Sequence, residues 1–244
     1  MIKFDRTKGR PEPIRALNRI REIENGEPLI DIRKVAPTVH LMRPQVLPWV
    51  RLQVAEKVAT ACERLPKGYR LGLIEGWRPI ERQQRIWDFM WKCAEEAFPD
   101  RDYVSLRRTV CRWVAPTDQK APPGHCTGAA VDVWLLNDNL EVVDVSAPFD
   151  RFRAAPTFSY GLTDEALKHR MMLYETMVSV GFSNCRDEWW HYSFGDAGWA
   201  VREGLDTCIY GLAQMDPAAY AEQEATHVVA MTDRPNPFIV ERPA

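Results

Sequence analysis

Ala129-Ala130-Val131-Asp132-Val133-Trp134-Leu135-Leu136, then Asn137-Asp138-Asn139, then Leu140-Glu141-Val142-Val143, is the stretch that decides the fold. The first run, rich in Val, Leu and Trp, reads as a mostly buried strand. The Asn-Asp-Asn triplet supplies residues that tolerate positive φ, and the apolar residues after it read as a hairpin partner. A strand whose neighbour returns through a tight turn belongs to an antiparallel ladder. Helical and strand-like segments interleave around it, yet the expected strand neighbours are hairpins and not crossovers. The expected class is therefore α+β, a small central antiparallel sheet with helices packed around it; a doubly wound sheet is the weaker option.

Upstream, Val50, Val54, Val58, Ala61 and Leu65 recur at helical spacing and predict a helix laid on the core, stopped by Pro66-Lys67-Gly68. Tyr69 to Trp77 alternates as a strand until Gly76 breaks it. After Pro79, the stripe Ile86, Met90, Cys93 and Ala97 predicts a helix to about Phe98, and another is expected from Tyr103 to Trp113. Downstream, Thr163 is the expected N-cap of a helix with Leu167, Met171, Tyr174 and Val178 facing inward and Gly181 as its stop. Trp189 to Phe194 reads as a strand. Residues 1–45, where only Pro13 to Ile20 suggests a short helix, and 205–244 have no strong period; they read as an N-terminal extension and a C-terminal tail of a single domain spanning 1–244.

Composition narrows the partners. With 32 Lys plus Arg against 34 Asp plus Glu, the net charge of −2 gives no electrostatic case for a nucleic acid or an anionic membrane. No apolar run approaches the ~20 residues of a membrane span, and the first residues carry no apolar signal core. Cys62, Cys93, Cys111, Cys126, Cys185 and Cys208 are scattered without close pairs, the pattern of free thiols in a reducing compartment. The expected location is cytoplasmic and the expected partner a small molecule.

The chemistry lies in two segments. Gly124-His125-Cys126-Thr127-Gly128-Ala129-Ala130-Val131-Asp132 and Glu188-Trp189-Trp190-His191-Tyr192 supply two imidazoles, a carboxylate ligand and a spare carboxylate. A catalytic zinc needs three such ligands, an open position for water and a separate base. His125 ends a proline-rich loop from Ala115 to Gly124, so the loop can fold its imidazole over Asp132. Asp132 sits between two valines in an apolar strand, where an unpaired carboxylate is costly. Glu188 and His191 would point oppositely on one strand. The conflict is resolved if Cys185-Arg186-Asp187 forms a turn that leaves Glu188 ahead of the strand, free to act as a base. Glu188 paired with Arg186 on the surface is the alternative. Trp189, Trp190 and Tyr192 read as core and pocket wall, and His40, His169 and His227 as bystanders. Cys126 points away from its neighbour His125 and is not expected to be a ligand.

Gly76-Trp77-Arg78-Pro79, His125-x-x-Gly128-x-Ala130-x-Asp132 and Glu188-Trp189-Trp190-His191-Tyr192, in this order, resemble the zinc D-alanyl-D-alanine dipeptidases of the VanX type, within the D-Ala-D-Ala metallopeptidases. The resemblance spans about residues 70 to 194. It implies one Zn²⁺ held by His125, Asp132 and His191, with Glu188 as catalytic base. It also implies Arg78 steadying the oxyanion and Asp150 binding the substrate's ammonium group. For Arg78 the alternative is an ion pair with Glu75 or Glu81, and for Asp150 a loop carboxylate beside Arg151. Trp77 stands where the family has tyrosine and Pro123 where it has serine, so a hydroxyl expected near the substrate's carboxylate end is missing. The implied activity is hydrolysis of D-Ala-D-Ala or a related dipeptide. A peptidoglycan carboxypeptidase or endopeptidase on the same scaffold, or a non-catalytic zinc-bearing module, are the other readings.

Overall fold

The computed structural model describes residues 12–148 and 154–239. Its elements in chain order are α1 (Ile14–Leu17), β1 (Arg21–Glu22), β2 (Leu29–Asp31), β3 (His40–Leu41), β4 (Trp49–Arg51), α2 (Leu52–Arg64), β5 (Tyr69–Glu75), α3 (Ile80–Ala97) and α4 (Tyr103–Val110). They continue with β6 (Ala130–Asn137), α5 (Asp164–Ser179), β7 (Ser183–Asn184), β8 (His191–Ser193), α6 (Ala197–Glu203), β9 (Thr207–Cys208) and α7 (Ala221–Thr232).

The architecture is α+β. A five-stranded sheet runs in the order β3-β5-β6-β8-β7, antiparallel except at its edge, where β3 lies parallel to β5. The hairpin expected after β6 is reduced to one bridge, Leu136 to Val142, with Leu140 at φ 63° in the turn. The reason is competition for edges. Strand β5 takes one edge of β6 over most of its length and β8 takes the other at Ala130 to Asp132, leaving only the far end to the returning segment.

Alternation along β6 separates core from site. Val131, Val133 and Leu135 enter the main core with Leu71 and Leu73 of β5, Val54, Val58 and Ala61 of α2, and Leu173 and Met177 of α5. Burying each such aliphatic side chain contributes about 1.5–3 kcal/mol. Asp132 faces the other way, directly opposite His191 of β8 and, past a register shift in β5, opposite Glu75. Three adjacent strands thus present three polar side chains in a row.

Several boundaries differ from the sequence reading. Helix α2 starts at Leu52, because Val50 belongs to β4, paired antiparallel with β2. Helix α4 ends at Val110, short of Trp113, and β8 keeps only His191 to Ser193 of the stretch Trp189 to Phe194. Helix α5 is capped by Thr163 as expected, whose side chain accepts from the Ala166 N–H, and Gly181 follows at φ 95°. Its inward face is wrong in the sequence reading. Ala166, His169, Arg170, Leu173, Thr176 and Met177 are buried, whereas Leu167, Met171 and Tyr174 are half-buried and Val178 is exposed. Hydropathy misread this face because two polar residues on it are satisfied by backbone. His169 Nδ1 donates to the Asp144 carbonyl at 2.7 Å, and Arg170 donates to the carbonyls of Val145, Ala154 and Pro156.

The terminal segments are woven into the fold. Strand β1 pairs with β9, β3 extends the central sheet, and the Ala213 N–H donates to the Cys126 carbonyl in the turn that carries His125.

Candidate metal centre

His125 is set by a 3-10 turn, Gly124–Thr127, that begins at Pro123 and ends at Gly128. Gly128 adopts φ 71°, a conformation that favours glycine, and a Cβ there would lie 2.3 Å from the tip of the Leu29 side chain, which would have to move. The Thr127 hydroxyl donates to the Gly124 carbonyl at 2.6 Å and accepts from the Ala129 N–H at 3.1 Å, closing the turn onto β6. The imidazole is held by a hydrogen bond from Nδ1 to the Gly76 carbonyl, 2.9 Å away. A carbonyl only accepts, so Nδ1 carries the proton and Nε2 is left with its lone pair. That Nε2 lies 3.2 Å from Asp132 Oδ1.

His191 approaches from the opposite side, its Nδ1 3.0 Å from the same Oδ1, with the two imidazole rings 4.9 Å apart at 75°. The ligand atoms of His125, Asp132 and His191 all lie within 4.8 Å of one another, an arrangement able to hold a metal ion. Zinc binds such nitrogen and oxygen donors at about 2.0–2.1 Å, so a tetrahedral shell sets them roughly 3.3 Å apart. The 3.0 and 3.2 Å separations about Asp132 Oδ1 fit that shell. Burial opposes the charge on Asp132, but the two imidazoles outweigh it and hold its carboxyl well below the usual range. Burial also works against the His191 cation, and the hydrogen bond and charge of Asp132 overcome it, raising the imidazole's pKa.

Glu188 lies ahead of β8, after a turn at Arg186 and Asp187. Its N–H donates to the Cys185 carbonyl at 3.2 Å and its own carbonyl accepts from His191 N–H at 3.2 Å. Asn184 locks this bend: its Nδ2 donates to the carbonyls of Glu188 and His191. The Glu188 carboxylate lies 3.9 Å from His191 Nδ1, beside the ligand cluster and outside it. Burial raises its pKa, and the Asp132 charge adds to the effect while His191 opposes it. Arg186, the surface partner the sequence allowed for it, pairs with Asp187 instead.

Arg78 sits at the corner between β5 and α3, its N–H donating to the His125 carbonyl at 3.1 Å. The ion pair with Glu75 is present: Nε donates to Oε1 at 2.8 Å and Nη2 to Oε2 at 2.6 Å. Nη1 donates to Gln83 Oε1 at 2.6 Å, and Gln83 in turn donates to the Ala115 carbonyl. Three of the five guanidinium N–H groups are thus assigned, and the fork is braced on two sides. Burial works against the Arg78 cation, but Glu75 more than offsets it, so its pKa is raised. Burial likewise opposes the Glu75 anion, and Arg78 keeps it ionised.

Trp77 is 1% exposed and packs against Leu47, Ala213 and Tyr220, with its Nε1 donating to the Ala213 carbonyl. Cys126 is buried, and burial pushes its thiol up to about 12. Asp150 lies outside the described residues. Sequence reasoning found the three clustered residues and Glu188, named Glu75 only as an alternative ion-pair partner for Arg78, and missed Gln83 and Asn184. Glu75 stood next to Gly76 in a recognised strand, and its identity as an acid so close to Arg78 was the available signal. Gln83 and Asn184 act through tertiary contacts that no local pattern announces.

The family model for D-ala-D-ala dipeptidase matches residues 41–209 of this chain. A D-alanyl-D-alanine dipeptidase of Synechocystis sp. is 34% identical over 178 residues, covering 64% of this chain and 72% of the relative. One of Escherichia coli is 24% identical over 131 residues, 53% of this chain and 58% of that relative. Among solved structures, VanYB in complex with D-Alanine-D-Alanine is 20% identical, with a TM-score of 0.39, over 64% of this chain and 79% of that one.

Proposed function

Because this chain belongs to the D-Ala-D-Ala dipeptidase family of peptidases, we propose that it is a zinc-dependent dipeptidase acting on D-Ala-D-Ala or a closely related small dipeptide. The observation that carries the reading is the meeting of His125, Asp132 and His191 ligand atoms within 4.8 Å, with the carboxylate of Glu188 beside them. His125, Asp132 and His191 would hold a zinc ion there, and it would supply a Lewis acid that brings the pKa of a water toward ~7.

The chain's own residues divide the remaining work. Glu188 takes the proton of the attacking water and returns it to the leaving amine, its carboxylate lying beside the ligand cluster and 3.9 Å from His191 Nδ1. Arg78 turns its remaining N–H groups to the carbonyl oxygen as negative charge develops there. Glu75 and Gln83 hold the guanidinium before substrate arrives, so no reorganisation is needed at the reacting moment. Asp150 is retained as the carboxylate for the substrate's ammonium group, on the sequence resemblance. The burial of Trp77 under Tyr220 supports reading its departure from the family tyrosine as a packing change, separate from substrate choice. No described helix is long and apolar enough to cross a membrane. The six free cysteines are compatible with the cytoplasmic setting we propose.

The test is amine release from a panel of D,D-, L,D- and L,L-dipeptides by the zinc-loaded protein. Turnover of D-Ala-D-Ala or a close D,D relative is expected. Zinc-loaded protein that cleaves none of the panel would overturn the proposal.

A further inference from the structure

We propose that residues 209–224 form a strap that positions Arg78 against the His125 turn, an inference that rests on the dipeptidase reading of the site. The strap begins where the family-matched region, 41–209, ends. Its centre is the Ala213 residue. The Ala213 N–H donates to the Cys126 carbonyl at 2.9 Å, and its C=O accepts from Trp77 Nε1 at 3.3 Å. Cys126 is the neighbour of His125 and Trp77 the neighbour of Arg78, so one alanine joins the two corners that carry the chemistry.

Contacts on both sides reinforce the join. Gly211 accepts from Nη2 of the buried Arg51, whose Nε donates at 2.8 Å to the carbonyl of Thr127, at the end of the His125 turn. The ring of Tyr220 meets Trp77 edge to face at 5.3 Å. Glu224, at the far end, accepts from Arg82 Nε at 3.0 Å and also pairs with Arg85. Arg82 is 2% exposed and lies one turn beyond Arg78, beside the Gln83 that accepts from Arg78. The strap therefore holds the chain immediately before Arg78, through the Trp77 indole, and one helical turn after it, through the Arg82 guanidinium. A cover needed only to hide apolar surface has no reason to bond the Cys126 carbonyl with its N–H and the Trp77 indole with its C=O. A donor that must meet a developing oxyanion tolerates little misplacement, since an error near 1 Å costs on the order of 10²-fold. Trp77, Ala213, Tyr220 and Glu224 are positioning residues on this account.

The experiment compares Trp77→Phe, which removes the indole donor together with part of the buried ring, and Tyr220→Ala/Glu224→Ala, which releases the far end, in the wild-type and Arg78→Lys backgrounds of the zinc-loaded protein. kcat and KM are measured well below each melting temperature, and amide hydrogen exchange is followed at Arg78. In the wild-type background, kcat is expected to fall about tenfold with KM changed less than about twofold and zinc retained. In the Arg78→Lys background the same substitutions should change kcat less than about twofold, because the group through which they act is gone. Exchange at the Arg78 amide, which is bonded to the His125 carbonyl, should quicken while amides of α2 keep their protection. Equal losses of kcat in the two backgrounds, or lowered melting temperatures with kcat and Arg78 exchange unchanged, would overturn the proposal. If wild type cleaves no dipeptide, the function reading fails on that observation alone, and the exchange arm still decides whether the strap holds Arg78.

Discussion

The proposed function assigns metal binding to His125, Asp132 and His191 and proton transfer to Glu188, and single substitutions separate the two roles. Glu188→Gln should retain one zinc and lose about 10²–10⁴-fold in kcat, the usual worth of a positioned acid or base; zinc content and initial rates on the same preparation check this. Arg78→Ala should lose about 10²–10³-fold with KM little changed, as expected of a donor used mainly in the transition state. His125→Ala removes an imidazole whose tautomer is fixed by the Gly76 carbonyl, so metal affinity should fall with activity, as read by competition with a chelator. Asp132, Glu188 and His191 were legible because each broke a local expectation. Asp132 is an acid inside an apolar strand, and Glu188 and His191 fit no single face of a strand. Glu75 was recorded only as a partner for Arg78, since its place opposite Asp132 depends on a register shift that the sequence does not announce.

At the scale of elements, hydropathy succeeded where burial is apolar and failed where buried polar groups are paid by backbone. Helix α2 and strand β6 carry apolar inward faces and were legible nearly to their ends. Helix α5 was found and capped correctly, but its inward face holds His169 and Arg170, which bond to loop carbonyls. The cap itself is testable: Thr163→Ala removes the acceptor for the Ala166 N–H and should cost about 1 kcal/mol in chemical denaturation. Helix α7 carries a pH signature. Burial, aided by the charges of Arg82, Arg85 and Arg78 and opposed by Glu75, depresses His227 from 6.5 to about 4. Its folded pKa lies below its unfolded one, so the unfolded chain binds the extra proton first as pH falls. The stability tied to neutral His227 is full above pH ~6.5 and is lost as pH drops toward about 4. Melting temperatures of wild type and His227→Gln should therefore diverge in slope across that window, with wild type falling faster.

For the whole molecule, the terminal segments decide how the site is held. The sequence offered them as an extension and a tail because they lack any period, yet both reach the site through long-range contacts of single residues. Arg51, 5% exposed, joins Glu24 and the Glu27 carbonyl near one end, Gly211 near the other, and Thr127 between them. Arg51→Met should destabilise by at least about 2 kcal/mol, the scale of charged hydrogen bonds lost. Limited proteolysis should then open both terminal segments together, because one side chain ties them. On the proposed function, this scaffold builds a one-zinc hydrolytic site from His125, Asp132 and His191. The most direct measurement is titration of metal-free protein with zinc while amine release from D-Ala-D-Ala is followed. Activity should rise from baseline and level at one equivalent, with no such rise in Asp132→Ala; hydrolysis that proceeds unchanged without zinc, or zinc taken up at one equivalent with no hydrolysis, would refute a one-zinc hydrolytic site.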